Sequence, residues 1–148
     1  MVGEALGPVA GLDDVESPTA AAVAGFDSHI IVDLGDDRLT VGRPHPMIDA
    51  TLRREIIEAL AARPAPRVLF IDIVLGFGAD ADPVGAIAGA LAAFLASNPH
   101  ARVVATVVGT ARDPQGYAIQ WRKLADLGCD VYESNAEAAR AVAEQFEK

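Results

Sequence analysis

Two unbroken apolar runs constrain this chain more than anything else in it. They are Arg67-Val68-Leu69-Phe70-Ile71-Asp72-Ile73-Val74 and the segment from Arg102 to Val108. Neither alternates apolar with polar. A strand with one wet face alternates; a strand covered on both faces reads as continuous, which is the habit of parallel sheets between helical layers. A shorter run of the same kind, His29-Ile30-Ile31-Val32-Asp33, precedes them, and Asp130-Val131-Tyr132 follows.

Between these runs the spacing turns helical. Asp49 is placed to cap a helix whose Leu52, Ile56, Ile57 and Leu60 share one face, stopped by Pro64 and Pro66. Asp82-Pro83 opens a second helix with Ile87, Leu91, Phe94 and Leu95 inward, ended by Asn98-Pro99; proline suits a first helical position because its missing N–H is not needed there. Asp113-Pro114 opens a third, with Ile119, Trp121, Leu124 and Leu127, ended by Gly128. Ser134, with Glu137 three residues on, has the form of a capping box for a last helix to about Phe146. The order β-α-β-α-β-α-β-α predicts a doubly wound α/β domain with a parallel sheet. In that plan ligands bind beyond the carboxyl ends of the strands.

At 148 residues the chain fits one domain. Residues 1–28, rich in Ala, Gly, Pro and acid, read as an arm or connector, and residues 29–148 as the domain. The longest apolar stretch, residues 67–77, falls short of the roughly 20 residues a membrane span needs and contains Asp72. The N-terminal residues lack the basic and apolar regions of a signal peptide. The single Cys129 excludes an intramolecular disulfide, so a cytoplasmic location is the default expectation. The net charge of −9 argues against nucleic acid and anionic membrane surfaces. It leaves phosphate ligands open, since backbone N–H groups can hold them.

Three loops leave carboxyl ends of strands and are expected to share one rim. Residues 34–46 carry Arg43 and His45 pinned by Pro44 and Pro46; His45 could serve as proton donor, phosphate ligand or nucleophile, or simply pack on Met47. Residues 75–83 place Gly76 and Gly78 directly before a helix, an anion site in principle or an ordinary glycine-rich turn capped by Asp82. Residues 109–115 bring together Gly109, Thr110, Arg112 and Asp113, which suit a phosphate or carboxylate if Asp113 is not merely the helix cap. Asp72, set within an apolar run, is expected to need N–H groups or a positive partner. Asp36, Asp37, Asp80 and Asp82 match no metal-loop spacing, and His29, His100 and Cys129 read as structural; no metal site is expected.

The strings DLGDDRLTVGRPHPMID, FIDIVLGFGADADP, VVGTARDPQ and ESNAEAA resemble the C-terminal part of FdrA-type acyl-CoA synthetases, relatives of succinyl-CoA synthetase, from about His29 to the end. The resemblance implies a flavodoxin-like, three-layer α/β/α fold. It implies chemistry on an acyl or carbamoyl phosphate, with roles at Arg43, His45, Gly76, Gly78, Gly109, Thr110 and Asp113. It implies CoA or a nucleotide with Mg2+ held elsewhere in an assembly, and a setting in purine-ureide (allantoin and oxamate) breakdown. The Gly-His-Ala-Gly loop of true synthetases is absent, so His45 does not inherit its phosphorylated histidine. Nothing in residues 1–27 matches the strand and helix that precede His29 in that family. The expectation is that a partner subunit carrying this strand and a CoA-binding domain completes the enzyme, or that two copies assemble. The rival expectation is a non-catalytic assembly or regulatory module.

Overall fold

The computed structural model describes residues 7–62 and 68–146. Among them, a parallel sheet in the order β1-β2-β3 is built from β1 (Val68–Val74), β2 (Arg102–Val108) and β3 (Asp130–Tyr132). Helices α1 (Ala20–Ala24), α2 (Asp37–Thr40) and α3 (Thr51–Ala61) precede the sheet. Helices α4 (Gly85–Ser97) and α5 (Tyr117–Asp126) link its strands, and α6 (Asn135–Ala143) follows it.

The register explains why the strand sequences are mostly apolar. Ile71 pairs with Ala105 and Ile73 with Val107, so these side chains share one face. They meet Val84, Ile87, Leu91 and Phe94 at the start and along the length of α4, Ile57 of α3 and Leu124 of α5, all buried in the main core. Phe70 pairs with Val104 on the opposite face, where Ala138 and Val142 of α6 cover them. Strand β2 is central, and Val103 through Val107 are buried from both sides. A parallel strand between two helical layers is covered on both faces, which favours apolar residues; Thr106 is the polar exception here, its buried hydroxyl without a hydrogen-bond partner among the described residues.

Helix α3 serves two cores. Ile57 points into the main one. Leu52 and Ile56 join Leu12, Val15, Val23, Ala24 and Leu39 in a second cluster formed by the N-terminal segments. Within residues 1–28, a 3-10 turn at Leu12–Asp14 and α1 thus dock on α3. Thr19 caps α1 by accepting from Ala22 N at 3.1 Å.

The expected strand at residues 29–33 does not join the sheet. The segment is extended, but its ladder is one parallel bridge to Ala10, with Ala10 N donating to His29 O and Ile31 N to Ala10 O. A strand is defined by its neighbour, and no described residue lies beside this segment over its whole length. Nor does it pair with β1, whose outer edge is open among the described residues. Asp72 is accordingly exposed on that edge strand, where water solvates it. It lies close enough to Arg53 to act on it: burial pushes the Arg53 guanidinium below its ordinary range, and Asp72 offsets part of that.

Asp49 accepts from Thr51 N at 2.7 Å, and Ser134 from Glu137 N at 3.2 Å, as capping predicts. The expected stop at Pro64 and Pro66 lies outside the described residues. Cys129 is buried, and burial raises its thiol to about 11. No helix among the described residues is long and apolar enough to cross a membrane.

Candidate functional site

The turns after β1 and β2 lie side by side because their strands are neighbours. Leu75 N donates to Val108 O at 2.8 Å, and the backbone of Gly109 packs against the Leu75 side chain. Gly76 and Gly78 take φ of +147° and +82°, a region that side chains with a Cβ rarely enter. With both, the chain turns sharply enough to leave Phe77 at the tip, 89% exposed. The N–H groups of Phe77 and Gly78 have no hydrogen-bond partner among the described residues.

The long loop from residue 34 reaches the same rim at its far end, where Asp80 N donates to Met47 O at 2.7 Å. His45, two residues earlier, is exposed, and its Nδ1 accepts from Met47 N at 3.2 Å. In the neutral ring an accepting Nδ1 puts the proton on Nε2. This tautomer equips Nε2 to donate a hydrogen bond, not to attack as a nucleophile. Gly35 makes room for the ring: a Cβ there would stand 2.6 Å from His45 Nε2 and 3.2 Å from Asp33 Oδ1.

Arg43 does not extend toward the other two turns. Its Nη1 donates to Glu55 Oε2 of α3 at 3.0 Å, both side chains 41% exposed. Arg112 is exposed; its backbone N donates to Thr110 Oγ1 at 3.2 Å, and its guanidinium has no bonded partner among the described residues. Of the two arginines, Arg112 is therefore the one with uncommitted charge at the rim.

One helix start differs from expectation, and the other follows the alternative of an ordinary turn capped by Asp82. Asp113 does not cap a helix. Its carboxylate accepts from Thr110 N at 2.6 Å and closes the turn, and α5 begins only at Tyr117, after Gly116 at φ +73°. The start of α4 is closed to an anion. Val84 N donates to Gln120 Oε1 and Gly85 N to Asp82 Oδ1, while Asp82 also accepts from Lys123 Nζ at 2.6 Å. Chiefly through Lys123, the Asp82 carboxyl is held below the ordinary carboxylate range. The free donors belong to the turn at Phe77 and Gly78, not to the helix after it.

Sequence reasoning missed Gln115, Gln120 and Lys123, which tie these turns together. Buried Gln115 accepts from Gly76 N at 3.2 Å and donates to Gly76 O at 2.8 Å and Asp80 O at 3.1 Å. Gln120 donates to Asp82 Oδ1 and to Gln115 O. One signal for Gln120 was available: it stands three residues after Tyr117 and four before Leu124, at an inward position of an amphipathic helix. An amide on that face must have partners. A groove of about 350 Å³, lined by Tyr117, Ala118, Trp121, Arg122 and Glu133, runs beside α5. Among the described residues no three His, Cys, Asp or Glu side chains gather where they could hold a metal ion.

The family model described as CoA-ligase matches residues 12–144. The uncharacterized protein YahF of Escherichia coli (strain K12) is 39% identical over 104 residues, 68% of this chain and 20% of that protein. The chain thus spans about a fifth of the length of the curated relative it matches. A CoA-ligase domain has a flavodoxin-like fold, which agrees with the open all-parallel sheet and its helical layers. By this match and this architecture the chain belongs to the CoA-ligase family, as a ligase domain like that of succinyl-CoA synthetase.

Proposed function

We propose that this chain is a subunit or terminal domain of an FdrA-like acyl-CoA synthetase or carbamoyltransferase. In this reading it acts on an acyl or carbamoyl phosphate within a larger assembly, in purine-ureide breakdown. Residues 29–148 are the ligase-like domain and residues 1–28 a connector, of which the segment from Leu12 to Ala24 docks on α3. The observation that carries the reading is the pair of glycine turns locked together at the carboxyl rim, with the amides of Phe77 and Gly78 and the Arg112 guanidinium uncommitted among the described residues, beside a Thr110 hydroxyl whose oxygen accepts from Arg112 N. Preorganised donors of this kind stabilise charge that develops on a transferring phosphoryl group.

Each residue has a defined part in the proposal. Gly76 and Gly78 shape the first turn, Gly109 lets the second lie against it, and Asp113 holds Thr110 in place. Arg112 supplies the positive charge. His45 donates from Nε2 to a phosphoryl or acyl oxygen. Arg43 contributes by exchanging Glu55 for the ligand. In this reading CoA and any nucleotide with Mg2+ are held by the rest of the assembly; the amides at the start of α4 are taken by Gln120 and Asp82.

The open edge of β1 supports a partner subunit, or a second copy, that adds a parallel strand there. Unpaired edge groups are a standing invitation to pairing. The same open edge favours a second reading: a non-catalytic assembly module.

Titration with inorganic phosphate, acetyl phosphate, carbamoyl phosphate and CoA separates the two. The phosphorylated ligands are expected to shift the amide resonances of Phe77, Gly78 and Thr110, and Arg112→Ala to abolish the shifts. Arg43→Ala is expected to weaken binding with little change in Tm, because an exposed ion pair contributes only about 0.2–1 kcal/mol. No shift at millimolar ligand, with tight capture of a strand-bearing partner, would favour the assembly module.

A further inference from the structure

We infer that Gln115 is the positioning residue of the rim: its side-chain amide sets the shape of the Gly76–Asp80 turn and so determines whether Phe77 and Gly78 present their N–H groups together. The inference rests on the anion-binding reading for its consequence, but on the hydrogen bonds alone for its mechanism.

Gln115 treats Gly76 as a neighbouring strand would, accepting from its N–H at 3.2 Å and donating to its C=O at 2.8 Å. The same Nε2 donates to Asp80 O at 3.1 Å. One amide therefore pins both ends of a five-residue span. Between the pins lie Phe77, Gly78 and Ala79, whose internal restraint is a single 3.3 Å bond from Ala79 N to Gly76 O. Gly76 and Gly78 give this span more backbone freedom than any other residue pair would. Left to itself, such a turn samples many shapes, and two amides aimed at one anion are present in few of them. A binding-competent conformer populated only fractionally weakens apparent affinity by that fraction.

Gln115 is 6% exposed, so water does not compete for these bonds. It is itself held from behind, because Gln120 Nε2 donates to Gln115 O at 3.2 Å and Gln120 Oε1 takes the Val84 N–H. The turn after β2 thereby dictates the turn after β1, and a change in one is transmitted to the other. Gln115 need not touch the ligand to do this.

The test uses the 148-residue chain, with inorganic phosphate and acetyl phosphate as probes and backbone amide relaxation as the second readout. In the wild type, Phe77 and Gly78 are expected near the order parameter of rigid backbone, about 0.85; in Gln115→Ala they should fall below about 0.6, while α4 and α6 amides keep their values. Phosphate affinity should drop at least tenfold. Gln115→Met, which keeps the volume and removes the amide, should reproduce both effects and serves if the alanine variant does not fold. Unchanged order at Phe77 and Gly78 in the methionine variant overturns the inference, whatever the phosphate result. Failure of the wild type to bind either probe, with order still lost in the variant, leaves the positioning role standing and instead sinks the anion-binding reading.

Discussion

Replacing Gln120 with Met measures how far the rim depends on one buried amide. Gln120 is 2% exposed, accepts from Val84 N at 3.2 Å and donates to Gln115 O at 3.2 Å and Asp82 Oδ1 at 3.1 Å. Methionine fills nearly the same volume, so no cavity opens. The change strands the Val84 N–H and the Gln115 C=O away from water, at about 1–3 kcal/mol for each unsatisfied group. Asp82 loses least, because Lys123 and solvent still reach it. Burying a thioether instead of an amide recovers about 1 kcal/mol of transfer energy. The net expectation is a loss of about 1–5 kcal/mol, which at this chain length lowers Tm by about 2–20 °C. Urea unfolding followed by circular dichroism reads the loss directly, and the m-value should not move, since the exposed surface is unchanged. Gln145→Met is the control: its one 3.4 Å bond to Ala141 O is exposed, and the change should stay within about 0.5 kcal/mol. A Gln120→Met variant as stable as the wild type would refute the claim that these bonds hold the turns.

Phe94 is fully buried between α4 and the sheet, so Phe94→Ala should cost about 3–5 kcal/mol in urea unfolding; a loss below about 1 kcal/mol would mean the main core is loosely packed. Asp82→Asn should alter the acid limb of stability. A native pKa held below the unfolded value of about 3.9 stabilises above that pH, and the gain is lost as pH falls through the native value. With nearly half of the side chain exposed, the effect should be under about 1 kcal/mol at neutral pH, and the Tm gap to wild type should close as the pH falls through the lowered native value. A gap independent of pH would contradict the ion pair. Gly35→Ala should displace the His45 ring, which a shift of its imidazole resonances would report; unchanged resonances would remove the close approach on which the placement rests.

What could be read from the sequence was what is decided locally. The apolar runs of β1 and β2, the Asp130–Tyr132 strand and the Ser134 cap were all legible, because periodicity and capping involve residues within a few positions of one another. The run at residues 29–33 was equally apolar, yet it forms one bridge to Ala10, since a strand exists only where another backbone lies beside it. Helix α5 starts at Tyr117 and not after Asp113, because the Asp113 carboxylate found Thr110 N first.

The site divides the same way. Gly76, Gly78, Gly109, Thr110 and Arg112 stood out because glycines, a hydroxyl and an arginine after strands have local meaning. Gln115 and Gln120 did not, because their partners Gly76 and Val84 lie 39 and 36 positions away. Arg43 was expected at the rim, and only the packing of α3 brought Glu55 to it. The amino-acid order by itself determined a layered α/β chain with glycine turns at one rim. The tertiary structure decided which amides those turns leave open, because a hydrogen bond depends on who arrives within about 3 Å, and that is settled by packing across the chain.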